Sequence, residues 1–167
     1  MFQPQQNHII ATIVENKPGV LFRVTNMIRR RAFNIESLSV GPLENGKLAR
    51  MTLVVKGDEK TVELVARNLH KLVEVIKVMR LNPEKTVLRE LALIKVSVND
   101  TKARSDLLHY VRIFRGKVID VSPQTMVVEI TGNPKKIDAF LDLTKNMGIK
   151  EVARTGIAAL ARGVESI

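Results

Sequence analysis

The residues best placed to do chemistry are Glu15-Asn16-Lys17-Pro18-Gly19-Val20-Leu21. They stand where a β-branched apolar run, Ile9 to Val14, gives way to Leu21, Val24, Met27 and Ile28, a helical face at spacings of three and four ending near Arg31. Pro18, with φ preset and no N–H, suits the first helical position, with Asn16 or Lys17 at or just before the cap. Gly19 adds no side chain, so an anion can approach the free N–H groups of the first turn, where the helix dipole favours negative charge. The same residues also read as a plain strand-to-helix turn. Other chemistry is missing. His8, His70 and His109 stand in separate elements without a ligand-spaced partner, so no metal site is expected. There is no cysteine for a thiolate site, no Gly-x-x-x-x-Gly-Lys-Ser/Thr loop, no Gly-x-Ser-x-Gly elbow and no Gly-x-Gly-x-x-Gly. The carboxylates fall on helix exteriors and caps, so no acid–base pair emerges and no catalytic residue is assigned.

The elements that would carry the turn repeat. After the first helix, Asn34 to Val40 alternates polar and apolar residues, Glu44-Asn45-Gly46-Lys47 signals a hairpin, and Leu48 to Val55 puts Ala49, Met51, Leu53 and Val55 on one face. Asp58 caps a second helix carrying Val62, Val65, Leu69 and Leu72, and Val73 to Met79 is a strand. Polar, proline-containing Asn82-Pro83-Glu84-Lys85 reads as a linker. The pattern then restarts: a strand from Leu91 to Val98, a helix capped by Asn99 or Asp100, strands at 116–121 and 125–130, a helix from Asn133-Pro134 and a closing strand from Ile149 to Ala153. The expected fold is α+β, two consecutive ferredoxin-like βαββαβ units, each an antiparallel four-stranded sheet with two helices on one face. The expected division is 1–81, a linker at 82–87, and 88–167. The second unit's first turn, Ser97-Val98-Asn99-Asp100-Thr101, lacks the Pro-Gly pair.

Composition narrows the class. The chain has 167 residues, 45% hydrophobic, with five Phe and one Tyr, so its cores are aliphatic. The absence of cysteine fits a reducing compartment, no window reaches membrane-span length, and Met1 to Asn7 lacks a signal-peptide pattern, so a cytoplasmic protein is expected. The net charge of +10 raises the question of nucleic acid, but the excess is spread evenly, 13 basic against 7 acidic residues in 1–81 and 14 against 10 thereafter. Arg29-Arg30-Arg31 suits a solvated helix C-terminus. An RNA-binding βαββαβ sheet stacks bases on third-strand aromatics, and Lys47 to Val55 has none, nor has Thr125 to Ile130, so neither nucleic acid nor membrane is an expected partner.

With that order in place, the first unit resembles an ACT domain, a βαββαβ sensor of small molecules in amino-acid metabolism. The blocks Glu15 to Leu21, Phe33 to Leu38, Leu48 to Thr52, His70 to Val75, Ile113 to Val121 and Glu151 to Gly156 together resemble the small, regulatory subunit family of acetolactate synthase (acetohydroxyacid synthase). The resemblance implies a non-catalytic chain, binding no cofactor itself, that partners a large subunit holding thiamine diphosphate, magnesium and FAD. It implies activation of that subunit, feedback inhibition by valine, with leucine or isoleucine as alternatives, and a homodimer through side-by-side ACT domains. It places the effector between the first helix of one copy and the second strand of the other. The implied contacts are N–H groups around Gly19, Val20 and Leu21 for the carboxylate, Asn16 and Asn34 to orient the ammonium or support the loop, and Ile35 for the isopropyl group. A stand-alone ACT-type sensor of another enzyme or of transcription is the first alternative, and a nucleic-acid-binding βαββαβ protein the second and less favoured one.

Overall fold

The computed structural model describes residues 6–167, so the first five residues of the N-terminal stretch lie outside it. The described chain forms two compact units, 6–87 with 157–167, and 88–156.

The first unit runs β1 (Gln6–Glu15), α1 (Val20–Arg30), β2 (Asn34–Pro42), β3 (Leu48–Gly57), α2 (Glu59–Leu69) and β4 (Val75–Leu81). Its antiparallel sheet has the order β2-β3-β1-β4, so the most apolar strand is central and β2 is an edge. Ile10 and Val14 join Ala49, Met51, Leu53 and Val55 in a core with Val20, Val24 and Ile28 of α1 and Val62, Val65 and Leu69 of α2. That is the period-2 face of the strands meeting the 3.6-period face of the helices. Each fully buried aliphatic side chain contributes roughly 1.5–3 kcal/mol, which makes this contact the main source of the unit's stability. The helical face differs from the sequence expectation at one residue: Leu21 is 45% exposed, and Val20 takes the inward place at the start of the helix.

The second unit runs β5 (Thr86–Ser97), α3 (Thr101–Ile113), β6 (Lys117–Val121), β7 (Thr125–Gly132), α4 (Pro134–Gly148) and β8 (Ile149–Arg154), with strand order β6-β7-β5-β8. Its core joins Ala92, Ile94, Val96, Met126, Val128 and Ile130 to Leu107 and Val111 of α3 and Ile137 and Phe140 of α4. Phe114 packs edge-on against Phe140, ring centroids 5.3 Å apart. A buried carboxylate closes the structure: Arg154 of β8 donates to both oxygens of Glu90 on β5, at 2.6 and 2.7 Å, and to Asp138 of α4 at 2.8 Å. Hydrogen bonding to Glu90, outweighing burial, holds the Arg154 guanidinium well above its ordinary value.

The repeated βαββαβ order matches the fold read from the sequence. The segment between the repeats is less of a linker than its composition suggests, because Pro83–Lys85 form one 3-10 turn and β5 already begins at Thr86. The C-terminus also departs from the sequence division. Residues 157–167 group with the first unit, but their strand β9 (Ala158–Ala161) pairs with β5, so the sheet of order β6-β7-β5-β8 has five strands where four were expected; Ala159 is buried and Arg162 N–H donates to Lys85 C=O at 2.8 Å. A four-residue strand, three of its residues alanine, carries no periodic signal, so this strand was not legible in advance.

Candidate functional site

The loop between β1 and α1 is set by its own residues. Helix α1 begins at Val20, and Gly19 is its N-cap with φ 85° and ψ −12°. A proline-first start with the cap at Asn16 or Lys17 is therefore corrected by two residues. The left-handed backbone at Gly19 is one that glycine adopts without strain, and a Cβ there would meet no atom within 4 Å, so the space beside the cap is open.

No side chain caps α1 and its first turn holds no acidic residue. Val20 N–H reaches Lys17 C=O at 3.3 Å and Arg23 N–H makes the first helical bond, to Gly19 C=O at 3.0 Å. The N–H groups of Leu21 and Phe22 are left as the unclaimed donors of the first turn. Beside them Leu21 and Phe22 expose their side chains, Phe22 by 69%. Positive charge surrounds the opening but is mostly engaged: Lys17 pairs with Glu15 at 2.9 Å, and Arg23 with Glu74 at the start of the last strand of the unit.

Asn16 is anchored rather than free. Its N–H donates to Lys47 C=O at 2.8 Å and its side-chain amide to Gly46 C=O at 2.9 Å, tying the loop to the β2–β3 hairpin. The hairpin is itself braced by Asn45, whose side-chain oxygen accepts from Lys47 and Leu48 N–H at 3.0 and 3.2 Å. The hairpin signal was visible in Asn45-Gly46. Nothing in the sequence said that its carbonyls would hold Asn16.

Of the six candidate residues, Asn16, Gly19, Val20 and Leu21 form this one corner. Val20 brings only its backbone, because its side chain is in the core. Asn34 and Ile35 lie elsewhere. Glu15 registers with Leu48 of β3, whereas Asn34 registers with Lys56, so the two sets stand at opposite ends of the sheet. Eight residues of strand separate them, about 26 Å, and one chain does not bring them to a common small ligand. Asn34 is exposed and its amide donates to Glu36 at 3.2 Å. Ile35 is half-buried against the unit's own core.

The remaining helices begin differently. The carboxylate of Asp58 accepts from Thr61 N–H at 2.8 Å, that of Asp100 from Ala103 N–H at 2.7 Å, and the side-chain oxygen of Asn133 from Lys136 N–H at 2.8 Å. Among the described residues no cluster of three His, Cys, Asp or Glu has the geometry to hold a metal, and no helix is long and apolar enough to cross a membrane.

Comparison with known proteins agrees over both units. Residues 10–77 match the model of the AHAS small subunit-like ACT domain, and residues 89–163 that of the small subunit of acetolactate synthase. A probable acetolactate synthase small subunit of Methanothermobacter thermautotrophicus is 50% identical over 156 residues, 93% of each chain. The acetolactate synthase small subunit of Aquifex aeolicus is 45% identical over 157 residues, covering 94% of this chain and 82% of that one. The crystal structure of the acetolactate synthase small subunit of Thermotoga maritima superposes with a TM-score of 0.87 at 44% identity, covering 95% of this chain and 98% of that chain.

Proposed function

This chain belongs to the family of acetolactate synthase small subunits, and from that premise we propose that it activates a large catalytic subunit and makes it sensitive to valine. The observation that carries the effector half is the open start of α1, the one α-helix of the four among the described residues without an Asp or Asn side chain over its first N–H groups. An amino-acid carboxylate completes it: the Leu21 and Phe22 N–H groups donate to the anion, and the dipole adds to the attraction.

The rest of the effector needs a second copy. β2 is an edge strand, so two first units can pair side by side, and such a pairing can carry Asn34 and Ile35 of one copy to the α1 corner of the other. Asn34 then offers its side-chain oxygen to the effector's ammonium, while Leu21 and Ile35 supply apolar contact. Asn16, committed to the hairpin, supports the loop. A pocket of this kind separates side chains differing by one methylene by only about 1–3 kcal/mol, so leucine and isoleucine compete at higher concentration.

Inhibition requires that valine bind one arrangement of the assembled enzyme better than another. The chemistry stays with the large subunit, a cytoplasmic transferase in this reading, together with its thiamine diphosphate, magnesium and FAD. The test is the activity of that large subunit with and without this chain, titrated with valine, leucine and isoleucine. The expected result is activation by the chain and inhibition by valine at the lowest concentration. A large subunit indifferent to the chain overturns the proposal.

A further inference from the structure

Two cations project from the first unit's sheet on the side away from its helices, Arg50 of β3 and Lys77 of β4, both in register with Ile13 of β1. Neither has a carboxylate partner among the described residues. Each donates instead to the C-terminal segment: Arg50 to Ala159 C=O at 2.8 Å and Lys77 to Ser166 C=O at 3.3 Å. Half-burial of Arg50 disfavours its charge and holds the guanidinium below its ordinary value, so a carbonyl acceptor counts for more there than on the surface. The segment enters through Gly156 at φ 79° and turns at Gly163 at φ 74°.

This row of side chains is close to the α1 corner through the backbone. Ile13 stands three residues before Asn16 on β1, and Arg50 three residues after Lys47 on β3. Asn16 and Lys47 are themselves hydrogen-bonded, so a two-strand ladder about 10 Å long joins the row to the effector loop. The pairing of β1 with β4 shifts register between Ile13 and Val14, an irregularity that interrupts the ladder and raises the local twist beside this row.

We infer that residues 157–167 are a regulatory strap: docked on Arg50 and Lys77, they hold the β1–β3 ladder in the geometry that presents the α1 loop to its amino-acid effector, and strap docking and effector binding strengthen each other. The inference rests on the effector reading given above. Linkage makes the coupling reciprocal, so the effector must protect the strap by the factor that the strap adds to affinity.

The experiment uses the full chain, wild type, Arg50→Met and Lys77→Met, with hydrogen exchange read at residues 158–162 and L-valine affinity read by calorimetry. One lost hydrogen bond corresponds to a change of roughly fivefold, so Arg50→Met is expected to speed strap exchange without ligand and to weaken valine binding by about that factor. Lys77→Met shifts both in the same direction by less, and saturating valine slows strap exchange in the wild type. Lys77 is exposed, so its variant keeps the comparison intact should Arg50→Met fail to fold. If the wild type binds valine and the variants loosen the strap without changing affinity, the strap inference falls and the effector reading stands. A wild-type chain that binds no valine removes both.

Discussion

The two units make the same strand-to-helix turn with opposite chemistry at its end. In the second unit Asp100, extended at φ −143°, swings its carboxylate over the first turn of α3 and accepts from Ala103 N–H. In the first, Gly19 takes the cap position at φ 85° with no side chain to offer. One helix start is satisfied from within and the other is open. A repeated fold thus separates what the architecture needs, a capped helix on a four-stranded sheet, from what one copy has given up. The unit with the open helix is also the one with anchored loop walls, through Asn16 and the hairpin.

The largest effect comes from making the first unit imitate the second. Gly19→Asp puts a carboxylate where the effector's is proposed to sit. The site has room for the new Cβ, and aspartate tolerates a left-handed backbone better than most residues, at a cost of about 1 kcal/mol. The variant is expected to fold and to lose valine affinity on the order of 100-fold, through repulsion and through self-capping of Leu21 or Phe22 N–H. Gly19→Asn, of the same shape without the charge, falls between. Calorimetry on both decides the matter: a Gly19→Asp chain that binds valine as the wild type does means the carboxylate end of the pocket lies elsewhere.

Much of this comparison is legible in the sequence, and the reasons for the gaps are local. The βαββαβ order follows from periodicity because Ile10, Met51, Leu53, Ile94 and Val128 are buried by the same alternation that the sequence displays. Asp58 and Asn133 are legible as caps because their side chains act on residues three further along. The start of α1 is displaced by two residues because Pro18 and Gly19 both favour the turn, and only the backbone angle at Gly19 decides between them. The tie from Asn16 to Gly46 spans thirty residues, and the grip of Arg50 on Ala159 spans 109. Tertiary hydrogen bonds of that reach leave no periodic trace. Asn34 stands at the other end of the sheet from Gly19 in one chain, in keeping with the expectation that the second strand meets the first helix of another copy.

A second contrast concerns what fastens each unit. The first carries solvent-exposed ion pairs such as Arg80 with Glu59, whereas the second closes β5, β8 and α4 around the buried Glu90 and its partner Arg154. Arg154→Met leaves the Glu90 carboxylate without its bidentate donor. Breaking a fully buried pair costs roughly 3–5 kcal/mol, but Arg154 keeps a third of its side chain in water, so a loss of about 2 kcal/mol is expected. Urea unfolding of the full chain, followed by exchange of core amides in each unit, should place that loss in residues 88–156 and leave valine affinity within twofold (about 0.4 kcal/mol). Equal destabilisation of both units would mean that they do not unfold independently.

The smallest effect separates the helices by their response to acid. Hydrogen bonding from Thr61, side chain first and backbone N–H second, holds the Asp58 carboxyl below its ordinary value. A depressed folded-state value means that the cap's contribution is present above the unfolded value, near pH 4, and is lost as pH falls through the lower folded one. Below about pH 4, therefore, the first turn of α2 should fray as Asp58 takes up its proton. The cap of α4 is the neutral Asn133, which has no proton to gain, and α1 has no side-chain cap to lose. The protection factor at Thr61, with the intrinsic pH dependence of exchange divided out, is expected to fall on acidification, while that at Lys136 stays constant. Asp58→Asn should abolish the difference, because an amide oxygen caps at every pH. Persistence of the acid response in that variant would trace it to another group and dissolve the distinction between charged and neutral caps.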